Sequence, residues 1–182
     1  MTQELAAEVP ISLTRAADPD DSFAQVVRQH QSMVFSMAYA CLRNRALAEE
    51  IAQEVFLDLY RKLPDLESPA HIVHWLRRVT SHRLIDLGRH QQRRPQTRLE
   101  DVPEPSVAAR ESDPLLSGML QQLVAALPEK GRLVVILRFQ EEMELAEIAE
   151  TLEMPVGTVK SQLQRALALL REKLSRRMGE VH

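Results

Sequence analysis

The sequence predicts an all-α protein: two small helical domains joined by a flexible linker. Three observations carry this. Apolar residues recur at three- and four-residue steps through most of the chain, the period of a half-buried helix. Only five glycines occur in 182 residues and β-branched runs are few, so strand signals are weak. Between residues 93 and 113 the period is lost, and Pro95, Pro103 and Pro105 interrupt the chain, with Pro114 just beyond.

The elements follow in order. Residues 1–20 lack periodicity and read as a flexible arm, ending at "DPDDS", where Asp21 or Ser22 can cap a helix. From Phe23 the helix places Val26, Val27, His30, Val34, Met37 and Ala38 at helical steps and ends near "LRNR". A second helix runs from Ala46 to Leu63 with Leu47, Ile51, Val55 and Leu59 on one stripe. "LPDLESP" breaks it. Ser68 then caps a third helix with Pro69 at its first position, where the missing N–H does no harm. That helix carries Ile72, Trp75, Leu76, Val79, Leu84 and Leu87 and is expected to fade after Gly88. The first domain therefore spans 21–92 and the linker 93–113. A linker of roughly 20 residues reaches ~60 Å when extended, at ~3.3 Å per residue. The second domain, 114–178, reads as helices over 115–127, 129–140 and 145–152, then a long one after Pro155.

Composition excludes several classes. No apolar stretch approaches the ~20 residues of a membrane span. "MTQELAAEVP" has no basic segment followed by an apolar one, so no secretory signal is expected. A single cysteine, Cys41, lies in the apolar run "VFSMAYACL" and reads as a buried hydrophobe. These features fit a cytoplasmic protein. The net charge of −3 conceals an uneven distribution. Seven arginines lie between Arg77 and Arg98 against one acid, Asp86. Five acids between Glu100 and Asp113 face one base, and six bases between Val156 and Met178 face one acid.

The most specific local pattern is "LAEIAETLEMPVGTVKSQLQRA". Ile148, Leu152, Met154, Val159 and Leu163 are apolar, and Ala149 is small where two helices must approach. A short helix meets a second across a break at "EMP", the layout of a helix-turn-helix. Glu153 holds the turn position where glycine is common, so a non-glycine residue at positive φ is expected there. In such a motif the second helix enters the major groove of DNA. Gly157 lets the backbone approach phosphate, and Thr158 with the open N–H groups of the first turn can bind it. Lys160, Ser161, Gln164 and Arg165 lie on the outer face, suited to base edges or phosphate.

The first domain offers two further features. "AEEIAQEVFLDLY" sets Glu50, Glu54 and Asp58 at i, i+4 and i+8 beside Gln53, an acidic ridge opposite the apolar face. The third helix grows more basic toward its end and sets Arg78, His82, Asp86 and Arg89 on one side, which suits a phosphate-lined ligand. Trp75 shares a stripe with aliphatic residues and reads as core. His71 and His74 are spaced for a metal, but no third ligand lies nearby, so neither metal nor cofactor is expected.

Taken together, "AEEIAQEVFLDLYRKLPDL", "HWLRRVTSHRLIDLGR" and the stretch from "LPEKGRLVVILRFQEE" to "LLREKL" resemble bacterial RNA polymerase sigma factors of the extracytoplasmic-function (ECF) group of the sigma-70 family. The resemblance runs from Phe23 to Lys173. It implies a region 2 domain and a region 4 helix-turn-helix domain, and a protein that binds core RNA polymerase and directs it to promoters. Glu50, Gln53, Glu54 and Asp58 would dock on the β′ clamp helices, and region 4 would lie near the β flap. Arg78, His82, Asp86 and Arg89 would meet the −10 element, with His82 where the family often carries Asn. Gly157, Thr158, Lys160, Ser161, Gln164 and Arg165 would read the −35 element. The resemblance also implies an anti-sigma factor as a partner.

Two alternatives stand beside this. A transcriptional regulator with a helical sensor or dimerisation domain would explain the helix-turn-helix, but leaves the acidic ridge and the basic third helix without a role. An enzyme is not expected, because no Gly-rich phosphate loop, nucleophile motif or metal triad is present.

Overall fold

The computed structural model describes residues 19–93 and 114–179, and every regular element among them is helical. The expected arm and linker lie almost entirely outside these residues. Seven α-helices follow in order: α1 Pro19–Leu42, α2 Arg45–Lys62, α3 Pro69–Arg93, α4 Pro114–Ala125, α5 Glu129–Phe139, α6 Leu145–Thr151 and α7 Val156–Gly179. A 3-10 turn at Leu63–Asp65 links α2 to the loop before α3.

Local chemistry explains most boundaries. Asn44 caps α2, its side-chain oxygen accepting from the Leu47 N–H at 2.9 Å. Ser68 caps α3 as expected, accepting from the His71 N–H at 3.2 Å. The Glu147 carboxylate accepts from the Glu144 N–H at 2.7 Å, half of a capping box at the start of α6.

Two boundaries differ from expectation. The first helix begins at Pro19, before Asp21 and Ser22, so neither residue is its cap. Proline fits there because the first helical N–H has no acceptor in any case, which makes "PDD" a helix start rather than a loop. The third helix runs through Gly88 to Arg93. A Cβ at Gly88 would fall 2.2 Å from a carboxylate oxygen of Glu129, the far end of a flexible side chain that could swing aside. Gly88 is thus where the start of α5 meets α3.

Helices α1–α3 pack into one bundle. Val34, Met37, Ala38 and Cys41 meet Ala48, Ile51, Val55, Phe56 and Leu59 of α2 and Leu76 and Leu84 of α3. Helices α4–α7 form the second group around Leu133, Val134, Ile136, Leu137, Ile148 and Val159. Fully burying each such aliphatic side chain contributes ~1.5–3 kcal/mol. The Cys41 thiol is buried, and burial pushes its pKa up to about 12.

The two groups pack on each other. Most of their buried residues belong to one contiguous cluster, while Leu127, Val135 and Ala166 form a second one within α4–α7, and α5 packs on α1 and α3, α6 on α3 and α4 on α1. Polar contacts join them as well. Arg132 donates to the carbonyl of Cys41, and Arg43 donates to the Gln121 side chain at 2.8 Å. An apolar and charged cavity of about 350 Å³ lies at this junction, between Cys41, Leu84 and Gly88 on one side and Leu127, Glu129 and Arg132 on the other.

Candidate nucleic-acid interface

The helix-turn-helix is built as its sequence suggests. Helix α6 ends in a Schellman motif: the Met154 N–H bonds to the Ala149 carbonyl at 2.9 Å and the Glu153 N–H to the Glu150 carbonyl at 3.3 Å. Glu153 takes the left-handed conformation, φ 53°, where glycine is usual. Ile148, Ala149, Leu152 and Val159 close the angle between α6 and α7 and are buried.

That packing fixes which face of α7 looks outward. Val159 and Ala166 point into the core, with Leu163 partly buried between them. Gly157, Thr158, Lys160, Ser161, Gln164 and Arg165 are all exposed. The Thr158 N–H is already bonded to the Pro155 carbonyl at 2.9 Å. The open donors of the first turn are therefore those of Val156 and Gly157. A Cβ at Gly157 would meet nothing within 4 Å, so nothing inside the chain requires glycine there. The Ser161 hydroxyl donates to the Gly157 carbonyl at 2.9 Å.

Helix α3 also gathers its expected residues. Arg78, His82 and Asp86 line a shallow cavity of about 440 Å³ with Trp75, Val79 and Arg83. Trp75 is only partly buried: it packs on the core and also faces this cavity. Asp86 and Arg89 are exposed and pair with each other at 3.4 Å. Arg78 and His82 are engaged by the second group. Arg78 pairs with Glu153 of the turn, and His82 Nε2 lies 3.1 Å from the Thr151 carbonyl. One residue earlier, Arg77 pairs with Glu141 at 3.2 Å and donates to its carbonyl at 3.1 Å. Burial first, and then the Arg77 cation, hold His30 below the usual histidine range.

The acidic ridge on α2 divides in two. Glu50 and Gln53 are exposed. Glu54 and Asp58 both pair with Arg83 of α3. The hydrogen bond to Asp58, with the charges of both carboxylates, raises the Arg83 pKa. Beside the ridge lies an apolar groove of about 750 Å³, formed by Phe23, Val27 and Phe35 of α1 and Ala52, Phe56 and Leu57 of α2. Sequence reasoning missed it. Its signal was Leu57, an apolar residue among the ridge positions, which is 61 % exposed. Among the described residues no group of three His, Cys, Asp or Glu side chains is placed to hold a metal, and no helix is long and apolar enough to cross a membrane.

Comparison with known proteins decides what this pair of faces belongs to. Residues 26–94 match the family described as Sigma-70 region 2, and residues 117–170 match Sigma-70, region 4. The chain is 31 % identical over 173 residues to the ECF RNA polymerase sigma factor SigW of Bacillus subtilis, covering 85 % of this chain and 89 % of that protein.

The chain belongs to the ECF sigma factors.

A second relative is the ECF RNA polymerase sigma factor SigE of Mycolicibacterium smegmatis, 32 % identical over 168 residues, covering 87 % of this chain and 64 % of that protein. In fold the chain is similar to the sigma factor RpoE solved in complex with the anti-sigma factor NepR from Bartonella quintana. The TM-score is 0.63 at 18 % identity, over 85 % of this chain and 98 % of that one. The family fixes the function as that of a promoter-directing sigma factor, a transcription initiation factor. Helices α1–α3 correspond to region 2, and α4–α7 fall largely within the region 4 match.

Proposed function

We propose that α7 reads the −35 element and α3 meets the −10 element, while α2 docks the chain on core RNA polymerase. The observation that carries this division is the outer face of α7. Its first turns expose Gly157, Thr158, Lys160, Ser161, Gln164 and Arg165 together, while the opposite face is sealed by Val159 and Ala166. Open N–H groups at the helix start favour phosphate, and the long donors that follow can reach base edges. Glu50 and Gln53 offer a polar docking edge to the β′ clamp helices, and the adjoining apolar groove supplies the desolvated area that a stable interface needs. On this reading the partners are core RNA polymerase, through its β′ clamp helices and β flap, promoter DNA and an anti-sigma factor. The protein works in the cytoplasm as a specificity subunit and catalyses no reaction of its own.

The experiment is reconstitution. Core polymerase with this chain as the sole specificity factor should initiate at discrete sites on linear genomic DNA. Glu50→Arg with Gln53→Arg should weaken holoenzyme formation while circular dichroism stays unchanged. Initiation that requires a second sigma factor would instead make this chain a regulator.

A further inference from the structure

The tip of α7 carries an apolar side chain that the fold does not use. Val156, the first residue of the helix, is 48 % exposed. The residues that fasten this end of α7 to the core are its neighbours. Val159 is fully buried, and Met154, just before the helix, packs against the same cluster. They hold the two positions of a hydrophobic staple around Pro155, whose carbonyl accepts from the Val159 N–H at 3.1 Å. Valine also forms helix less readily than alanine, so at an exposed position it gives the helix nothing. Val156 instead heads a line down the outer face: Val156, Lys160 and Gln164 follow at four-residue steps, and all three are exposed. The space beside it is open, since a Cβ at Gly157 would meet nothing within 4 Å.

We propose that Val156 reads thymine: its methyl groups pack against the C5-methyl of a thymine in the −35 element. The inference rests on the assignment of α7 to that element. The chemistry of the major groove narrows the choice. Adenine, guanine and cytosine present hydrogen-bonding groups there, and thymine alone adds a methyl group. An aliphatic side chain in line with Lys160 and Gln164 has no other apolar partner on a base edge. A protein partner fits this face poorly, because protein anchors cluster, and Val156 is surrounded by Gly157, Thr158, Lys160 and Ser161. Among the described residues no other large apolar side chain of α7 is exposed.

The spacing says where that thymine lies. Val156 and Lys160 are one turn apart, about 6 Å at ~1.5 Å per residue. Successive base pairs are ~3.4 Å apart, so the thymine falls within about two base pairs of the pair that Lys160 contacts. Val156 adds what the donors of α7 lack. Lysine and arginine favour guanine, and glutamine favours adenine. A methyl contact lets the same helix recognise an A·T pair through its thymine. Losing that contact costs about fourfold in affinity, the worth of one buried methyl-sized group.

Deleting the methyl group from either side tests the contact. Holoenzyme preassembled from core polymerase and the full chain is bound to a promoter recovered by genomic selection. Each thymine of the upstream protected patch, on both strands, is replaced in turn by deoxyuridine, which lacks the C5-methyl and keeps the O4 acceptor. At one thymine the wild-type holoenzyme should lose about fourfold in affinity. Val156→Ala should lose about as much on the unmodified promoter and nothing further with deoxyuridine at that position. Val156→Ile should keep the sensitivity. The thymine should lie within about two base pairs of the position where Lys160→Ala relaxes base preference. Urea unfolding of Val156→Ala should match the wild type, as for an exposed residue outside the core. A patch with no methyl-sensitive thymine, equal losses of Val156→Ala on both DNAs, or a destabilised Val156→Ala overturns the proposal. Undiminished promoter binding by Lys160→Ala with Arg165→Ala would overturn the assignment of α7 to the −35 element instead.

Discussion

Helices α3 and α7 are both long, amphipathic and basic, yet the fold treats them differently. Every candidate DNA-binding residue on α7 is exposed. On α3, Arg78 and His82 are held by residues more than sixty positions away, while Asp86 and Arg89 reach solvent. The difference teaches that a basic helical face marks a candidate interface, while tertiary contacts decide whether it is available. On the proposed reading, the face assigned to the −35 element is presented, and the face assigned to the −10 element is covered in part.

The largest expected effect breaks the α7 side. Replacing both Lys160 and Arg165 by Ala removes two groups able to hold phosphate or base, each worth ~1–3 kcal/mol where it reads a base. Transcription in a run-off assay should fall by about a hundredfold or more, with binding to core polymerase retained. The salt dependence of holoenzyme–promoter binding should also become shallower, by ~0.9 in slope for each phosphate that is no longer neutralised.

The α3 side should respond differently. Asp86→Ala with Arg89→Ala removes the part of its face that is already exposed. Promoter binding should persist while strand opening drops, on the order of tenfold; a normal open-complex yield in permanganate footprinting would count against α3 as the −10 contact.

A third variant sharpens the junction between the two. Glu153 combines a left-handed backbone with an ion pair to Arg78. In an Arg78→Ala background the pair is gone, so Glu153→Gly only relieves the backbone and should raise stability by about 1 kcal/mol in urea unfolding. Unchanged stability would mean that the turn carries no strain.

The smallest effect concerns Glu129, which faces Gly88. Burial raises its pKa, against the opposing pull of Arg132, Arg89 and Lys130. A carboxylate with a raised pKa favours the folded state when protonated. Its contribution is present below the ordinary value of 4.5 and is lost as pH rises through the raised one. Thermal unfolding scans should therefore show a slightly steeper loss of stability on going from acid toward neutral pH in the wild type than in Glu129→Gln. Identical profiles would place Glu129 in solvent.

What was legible in the sequence is what local chemistry governs. Ser68 and Pro69 announce the start of α3, and "EMP" announces the turn between α6 and α7, because capping and turn conformations depend on a few adjacent residues. The outer face of α7 followed from helical period alone. The Pro19 start of α1 was misread because Asp21 and Ser22 are good caps in isolation. The continuation of α3 past Gly88 was misread because a glycine is a common helix end, while within a helix it costs only about 1 kcal/mol relative to alanine. The contacts between α3 and the second group were hidden because they are non-local. Nothing near Arg77 or Arg78 signals that their partners are Glu141 and Glu153, and the pairing of Glu54 and Asp58 with Arg83 is equally non-local.

Two different helices of one chain should each engage their own promoter element. Hydroxyl-radical footprinting of the reconstituted holoenzyme on a promoter recovered by genomic selection tests this directly. The expected result is two protected patches about 25 base pairs apart, at ~3.4 Å per base pair. The upstream patch should disappear with Lys160→Ala and Arg165→Ala, and the downstream one should change with Asp86→Ala and Arg89→Ala. A single patch, or two patches indifferent to both pairs of substitutions, would contradict it.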